Sequence, residues 1–242
     1  IDKESLPTLG TVSRNENGYP IGYFFGYKAI GVFQTQEEID SYISPATGKP
    51  IQPNAAPGDT KFEDLNGDGV ISDDNEDRTM IGKPNPDWMV GLTVAADWNG
   101  FDLSAFFQGS FGADVFDALR RYELAAVNYT SDALERWTGP GTSNSMPRIV
   151  LGDTPKNFRP STLLVHDASF LRLRNLQVGY TLPAQLTRKA YIQRLRFYAS
   201  FDNLLTITGY KGMDPEIGST MGIDKGVYPQ ARVYTFGLNL TF

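Results

Sequence analysis

The stretch from Ala231 to Phe242 alternates in polarity almost without fault. Tyr234, Phe236, Leu238, Leu240 and Phe242 fall on one face of an extended chain, and Val233, Thr235, Gly237, Asn239 and Thr241 on the other. This is a β-strand with one apolar side, aromatic at both ends, and lipid is the simplest partner for that side. The same pattern recurs from Trp88 to Trp98, with Trp88, Val90, Leu92, Val94, Ala96 and Trp98 together. Asn99-Gly100 follows at once and is the strongest short hairpin signal. A two-residue loop there pairs Trp98 with Phe101, Ala96 with Leu103, Val94 with Ala105 and Leu92 with Phe107, so every pair on that face is apolar. At roughly 3.4 Å per residue and a tilt near 40°, such a strand rises about 26 Å, the height of an outer-membrane barrel's apolar band.

Further strands are expected at Ile21–Gly31 (Ile21, Tyr23, Phe25, Tyr27 and Ala29 outward), Phe170–Leu182 and Arg194–Ile207. In the last, Leu195, Phe197, Ala199, Phe201, Leu205 and Ile207 alternate with a polar set that includes Arg194, Arg196 and Asp202. The strand from Phe170 changes phase: Leu171 and Leu173 are odd, whereas Leu176, Val178, Tyr180 and Leu182 are even. That predicts a bulge near Arg174 and Asn175, or an upper part standing clear of lipid. About six strands are too few for the smallest closed barrels, even with Thr8–Val12 as a weak seventh, so the sheet edges must pair with strands outside this sequence.

The connections run long (32–86), tight (99–100), long (112–169), short (183–193) and long (208–230). Outer-membrane barrels alternate in this way, with short periplasmic turns and long external loops. The alternation puts Asn99-Gly100 and the C-terminus in the periplasm. Within 112–169, the segments Ala118–Asn128 and Ser131–Trp137 read as short helices, the second with Ser131 as N-cap. This loop is expected to fold over the barrel mouth, with stacking of Tyr122, Tyr129 or Trp137 on a ligand as the alternative.

Composition narrows the function classes. No apolar run approaches the roughly 20 residues of a membrane helix, which leaves strands as the means of spanning. With no cysteine and one histidine, His166, thiolate chemistry and multi-histidine metal sites are excluded. A formal charge of -6 argues against nucleic acid as a partner. No Gly-x-Ser-x-Gly elbow occurs, so an enzyme is not expected. Ile1 is followed by no signal segment, and translation is expected to begin upstream of it.

The strongest local motif is Asp64-Leu65-Asn66-Gly67-Asp68-Gly69-Val70-Ile71, followed by Asp73, Asp74, Asn75, Glu76 and Asp77. Side-chain oxygens at Asp64, Asn66 and Asp68, a glycine at Gly69 and the carbonyl of Val70 form the first half of a loop for a hard cation, Ca²⁺ with Mg²⁺ as alternative. Position 12, where a bidentate Glu is expected, is Asn75, so closure falls to Asp73, Glu76 or Asp77. The bland alternative is an acidic turn held by Asx hydrogen bonds.

Several ordered motifs resemble the SusC/RagA family of TonB-dependent outer-membrane transporters: Gly18–Lys28, Gly31–Gln34, Gly58-Asp59 leading into the acidic motif, Pro84-Asn85-Pro86, Phe101–Ser104, Arg136–Thr138, Ala168–Asn175 and Gly179–Pro183. The resemblance runs from Gly18 to the terminal Phe242. It implies an all-β fold, an antiparallel transmembrane segment forming the C-terminal strands of a twenty-two-stranded barrel, with 32–86 and 112–169 as extracellular loops. It also implies an outer-membrane transporter for glycans or peptides, with a plug domain, a SusD-like lipoprotein lid and TonB coupling supplied by parts absent from residues 1–242. Relative to the family pattern there is a short insertion between Ile71 and Asp77, and the resemblance places Asp77 in the closing position. Arg194, Arg196 and Asp202 are expected to form wall salt bridges among themselves, with plug contacts as the alternative. The competing reading is a soluble, secreted β-sandwich with a calcium-stabilised loop, its apolar faces packed between two sheets.

Overall fold

The computed structural model describes residues 12–73, 76–119, 128–216 and 221–242. Most of the expected Thr8–Val12 strand and Ala118–Asn128 helix, together with Tyr122, Asp74 and Asn75, lies outside these. In chain order the strands are β1 (Ser13–Arg14), β2 (Tyr23–Tyr27), β3 (Ala29–Val32), β4 (Thr60–Phe62), β5 (Arg78–Gly82), β6 (Trp88–Trp98), β7 (Phe101–Phe111), β8 (Asp114–Asp117), β9 (Val165–Asp167), β10 (Phe170–Thr181), β11 (Arg194–Thr208), β12 (Ile223–Asp224) and β13 (Val233–Thr241). They belong to two compact units interleaved along the chain. The first takes Ile1–Asn85, Asp114–His166 and Ile217–Gly226; the second takes Pro86–Ala113, Asp167–Glu216 and Val227–Phe242.

The second unit is a five-stranded sheet of order β13-β11-β10-β7-β6, antiparallel throughout. Its β6–β7 hairpin has the expected register, with Trp98 opposite Phe101, Ala96 opposite Leu103, Val94 opposite Ala105 and Leu92 opposite Phe107. Both turn residues, Asn99 and Gly100, have positive φ (47° and 84°), the backbone that a twist-matched two-residue turn requires. The phase change in β10 is a bulge: its pairing with both neighbours shifts between Leu173 and Asn175. On β11 the bulge is met by Asn203 and Leu204, with Asn203 at φ 52°.

The first unit consists of small sheets, β1-β2-β5, β3-β4 and β12-β8-β9, around a core of Val12, Phe24, Phe116 and Leu164. The long connections 32–86 and 112–169 fall almost wholly within it. Here one expectation is corrected. Ile21–Gly31 is not a wall strand; it divides into β2 and β3, which pair in separate small sheets. Tyr23, Phe24 and Tyr27 are all buried, so β2 is covered on both faces. Gly26 lies so close to Pro160 that a Cβ would come within 2.9 Å of its carbonyl carbon. The Ser131 helix is a 3₁₀ turn, Ser131–Glu135, with Thr130 rather than Ser131 in the N-cap position. Trp137 packs flat against Gly58 and donates its Nε1–H to Gln34 Oε1 (3.2 Å), a structural role within the unit.

Candidate functional site

The five-stranded sheet has two chemically distinct faces. Pairing carries one apolar row across all five strands, Ala96, Leu103, Val178, Ala199 and Phe236, and a second across four, Leu92, Phe107, Leu173 and Leu205. Aromatics mark the ends of β6 and β7, Trp88 and Trp98 on one and Phe101 and Phe111 on the other, and the rings of Phe101 and Tyr180 lie 4.4 Å apart. This face is uncovered: Trp88 is 72 %, Leu92 59 %, Phe236 74 % and Leu240 41 % exposed. In a soluble sandwich these residues would be interior, and their exposure removes the basis for that reading.

The opposite face is polar and internally paired. Arg172 is 2 % exposed and fully engaged: Nε donates to Thr206 Oγ1 (2.9 Å), Nη1 to Glu216 Oε2 (3.0 Å) and Nη2 to Asp214 Oδ1 (2.5 Å). Arg174 donates to Gln108 Oε1 (2.7 Å), Asn203 Oδ1 (3.2 Å) and both carboxylate oxygens of Glu216 (2.5 and 2.6 Å). The bulge explains why two arginines and Asn175 work on one face, since the extra residue restores the polar side after Leu173. The segment after β11 is thereby tied to the sheet, and Gln230 N completes the tie by donating to Asp214 Oδ2 (3.0 Å). The network was hidden in the sequence because its partners are 42 and 44 residues apart; the phase slip at Arg174 was its only trace.

Nearer the Asn99-Gly100 turn, Arg196 holds Asp102 in a two-pronged ion pair, through Nε (2.8 Å) and Nη2. Asp97 stands opposite Asp102 across the hairpin, and the guanidinium offsets that like-charge pair; Arg196 is in a wall salt bridge with Asp102 rather than Asp202 as partner, and Asp202 accepts from Asn175 Nδ2 (2.7 Å). The bridge crosses β10 above Gly179, where any Cβ would overlap the Asp102 carboxylate. Gly179→Leu should therefore break the pair and destabilise the wall by about 1–3 kcal/mol, read as a lower denaturant midpoint in lipid vesicles. An unchanged midpoint would show that the glycine's space is not needed.

The acidic loop 64–77 belongs to the first unit. Asp64 accepts from Gly67 N and Gly69 N (both 2.8 Å), Asn66 Oδ1 from Asp68 N (3.0 Å) and Asp68 Oδ1 from Val70 N (2.8 Å). Gly69 has φ 88°, and a Cβ there would come within 2.8 Å of Ser44 Oγ. Asn66 Nδ2 donates to both Asp68 Oδ2 and Glu76 Oε2 (3.0 Å each). Asp77 is fully buried, accepting from Leu65 N (3.2 Å) and Ser72 N (2.9 Å). Asp73 stands apart: it pairs with Lys156, whose hydrogen bond is the main reason its carboxyl lies below the ordinary value. Asp64, Asn66, Asp68 and Val70 thus share one turn through side-chain to backbone hydrogen bonds, Asp77 lies beneath it against Leu65 and Ser72, and Asp73 faces Lys156. Among the described residues, no three acidic or histidine side chains converge as a metal-holding group.

A five-stranded antiparallel sheet with one lipid-suited face and one polar, ion-paired face is a stretch of transmembrane β-barrel wall. No protein-family model matches the chain. Its relatives include the TonB-dependent receptor P3 of Formosa agariphila, 34% identical over 236 residues covering 93% of this chain and 22% of that protein. The TonB-dependent receptor SusC of Bacteroides thetaiotaomicron is 30% identical over 233 residues, 96% of this chain and 21% of that protein. Among solved structures, the RagAB peptide importer in an open-open state matches with a TM-score of 0.72 and 26% identity, over 98% of this chain and 24% of that one. By sequence and by fold, the chain is a SusC/RagA-family segment spanning between a fifth and a quarter of the length of the proteins it matches. TonB-dependent receptors are outer-membrane β-barrel proteins, and the apolar face described above is the surface that such a location demands.

Proposed function

We propose that this chain is the C-terminal stretch of the wall of an outer-membrane active transporter that imports large nutrients, glycans or peptides. The observation that carries this reading is the exposed apolar face backed by a polar face whose charges are paired. In this reading the polar face lines the lumen, where a plug sits, and the Asn99-Gly100 turn and the C-terminus are periplasmic. The segments 32–86 and 112–169 are extracellular, beneath a SusD-like lipoprotein lid, and energy comes from the TonB complex through a part of the protein outside this chain. The outer edges of β6 and β13 have no partner strand among the described residues, and the reading pairs them with other strands of the same barrel. Tagged whole protein, extracted in detergent, is expected to bring down a surface lipoprotein, and inactivating TonB should stop uptake of a fluorescent oligosaccharide or oligopeptide. Behaviour as a lone monomer in detergent-free buffer would overturn the reading.

The acidic loop is proposed to bind Ca²⁺, with Mg²⁺ as the alternative, through Asp64, Asn66, Asp68, the Val70 carbonyl and Asp77. The successive Asx turns give the backbone path that such a ring of oxygens needs, and each hydrogen-bonded carboxylate oxygen keeps a lone pair for the ion. Asp73 faces Lys156 in an exposed pair that an ion can displace at little cost, and it stays in the proposed set as a further ligand. Calcium at about 100 times its Kd should stabilise the loop by roughly 2.7 kcal/mol, read as slower proteolysis. Asp68→Ala should abolish the effect, and equal protection of the variant would refute the site.

A further inference from the structure

A cleft of about 970 Å³ opens in the first unit between segments 47–55, 69–73 and 148–159. That volume suits several residues of an extended ligand. Its cations outnumber its acids: Lys49, Arg148, Lys156 and Arg159 stand against Asp59 and Asp73.

The two acids differ in what they neutralise. Asp59 is buried and spent on the floor, accepting from Arg148 Nε (2.6 Å) and Nη2 (3.1 Å) and from Asn157 Nδ2 (3.0 Å). Asn157, itself fully buried, also accepts from Thr60 N (2.8 Å), so this floor is preformed. Asp73 instead lies on the rim, 68% exposed, against a Lys156 side chain that is 49% exposed. An ion pair so open to water is worth at most about 1 kcal/mol, and a carboxylate from a ligand can take over Lys156 at little cost. Lys49 is exposed and forms no ion pair with any described residue. The turn presenting Lys156 is held from below, since the Asp153 carboxylate accepts from the N–H groups of Asn157 (2.8 Å) and Phe158 (3.0 Å).

Between the cations the walls are aliphatic: Pro50, Ile51, Pro53, Ile71, Val150 and Pro155. No aromatic ring lines the cleft among the described residues, whereas a sugar is ordinarily held by stacking its C–H face on such a ring. The walls suit aliphatic side chains.

We propose that this cleft binds an acidic peptide segment, its carboxylates pairing with Lys49 and Lys156 and its apolar side chains lying on the proline and isoleucine walls. The proposal rests on the transporter reading for its purpose, the first capture of an anionic peptide cargo. The test is fluorescence anisotropy of a labelled octapeptide of Glu, Val and Pro with the whole protein in detergent. Binding is expected to weaken at least tenfold in Lys49→Gln/Lys156→Gln, to survive in Lys49→Arg/Lys156→Arg, and to fall with added salt. No binding, equal affinity in the glutamine variant, or displacement by an acidic oligosaccharide as effectively as by unlabelled peptide would each overturn it. Binding needs no transport, so the two readings fail separately. A protein that binds the peptide but imports nothing in cells sinks the transporter reading alone; one that imports a nutrient but ignores the peptide sinks the cleft alone.

Discussion

Arg172→Leu should cost about 3–5 kcal/mol, because removing the guanidinium leaves Asp214 buried without its countercharge. The loss should be local. The chain after β11 is tied down by Asp214 and Glu216, so trypsin should cleave after Lys211 much faster in the variant while the wall stays folded. Arg172→Lys should recover only part of this, since an ammonium cannot serve Thr206, Glu216 and Asp214 in one plane. Cleavage unchanged in Arg172→Leu would mean that the tie lies elsewhere. The same tie predicts a pH response. Burial pushes the Asp214 carboxyl upward, but the N–H groups of Gln230 and Glu216 and the Arg172 guanidinium outweigh it, and the net direction is down. A folded value below the unfolded one means the stabilisation is complete above the ordinary carboxylate value, near ~4, and is lost as pH falls through the lower folded value. Protease protection should therefore persist at neutral pH and fail only in strong acid.

Leu92→Arg should destabilise the wall by about 2–4 kcal/mol in bilayers, because residue 92 stands near mid-height of β6 on the apolar face and an arginine there meets hydrocarbon. Ala95→Arg, close by but on the polar side opposite Ser104, should cost far less. Equilibrium unfolding in lipid vesicles separates the two. Equal costs would mean that the faces are not differently solvated, and the membrane assignment would go with them.

How much of this was legible follows from where the information lies. The β6–β7 register was fully readable, because Asn99-Gly100 sets the turn and each facing pair then checks it. The slip in β10 was readable as a change of parity at Arg174, and it proved to be a bulge. Ile21–Gly31 misled because aromatic alternation at Tyr23, Phe25 and Tyr27 looks the same whether the strand faces lipid or protein. The missing sign was a polar partner face, since Phe24 and Gly26 fill the intervening positions. In the acidic loop the 64–70 turn was legible from its spacing, but the diversion of Asp73 was not, for its partner Lys156 is 83 residues away. The Arg172 network was invisible for the same reason, being built from charges that meet only once the chain folds back.

The single surplus amino acid at Arg174 behaves as a frameshift written in space. Excising it would leave Leu173 followed directly by Asn175 in unbroken alternation, with Leu176 and Val178 still toward oil, whereas drawing Arg174 into the ladder would invert the remainder of β10, turning Asn175 and Gln177 toward oil and Leu176 and Val178 toward water. A residue can thus be added to such a wall strand without turning the rest of it over only where it is looped out of the ladder, as Arg174 is between the partners of Phe107 and Phe106. Single-residue insertions inside the strands should accordingly sit at bulges, while the loops drift freely.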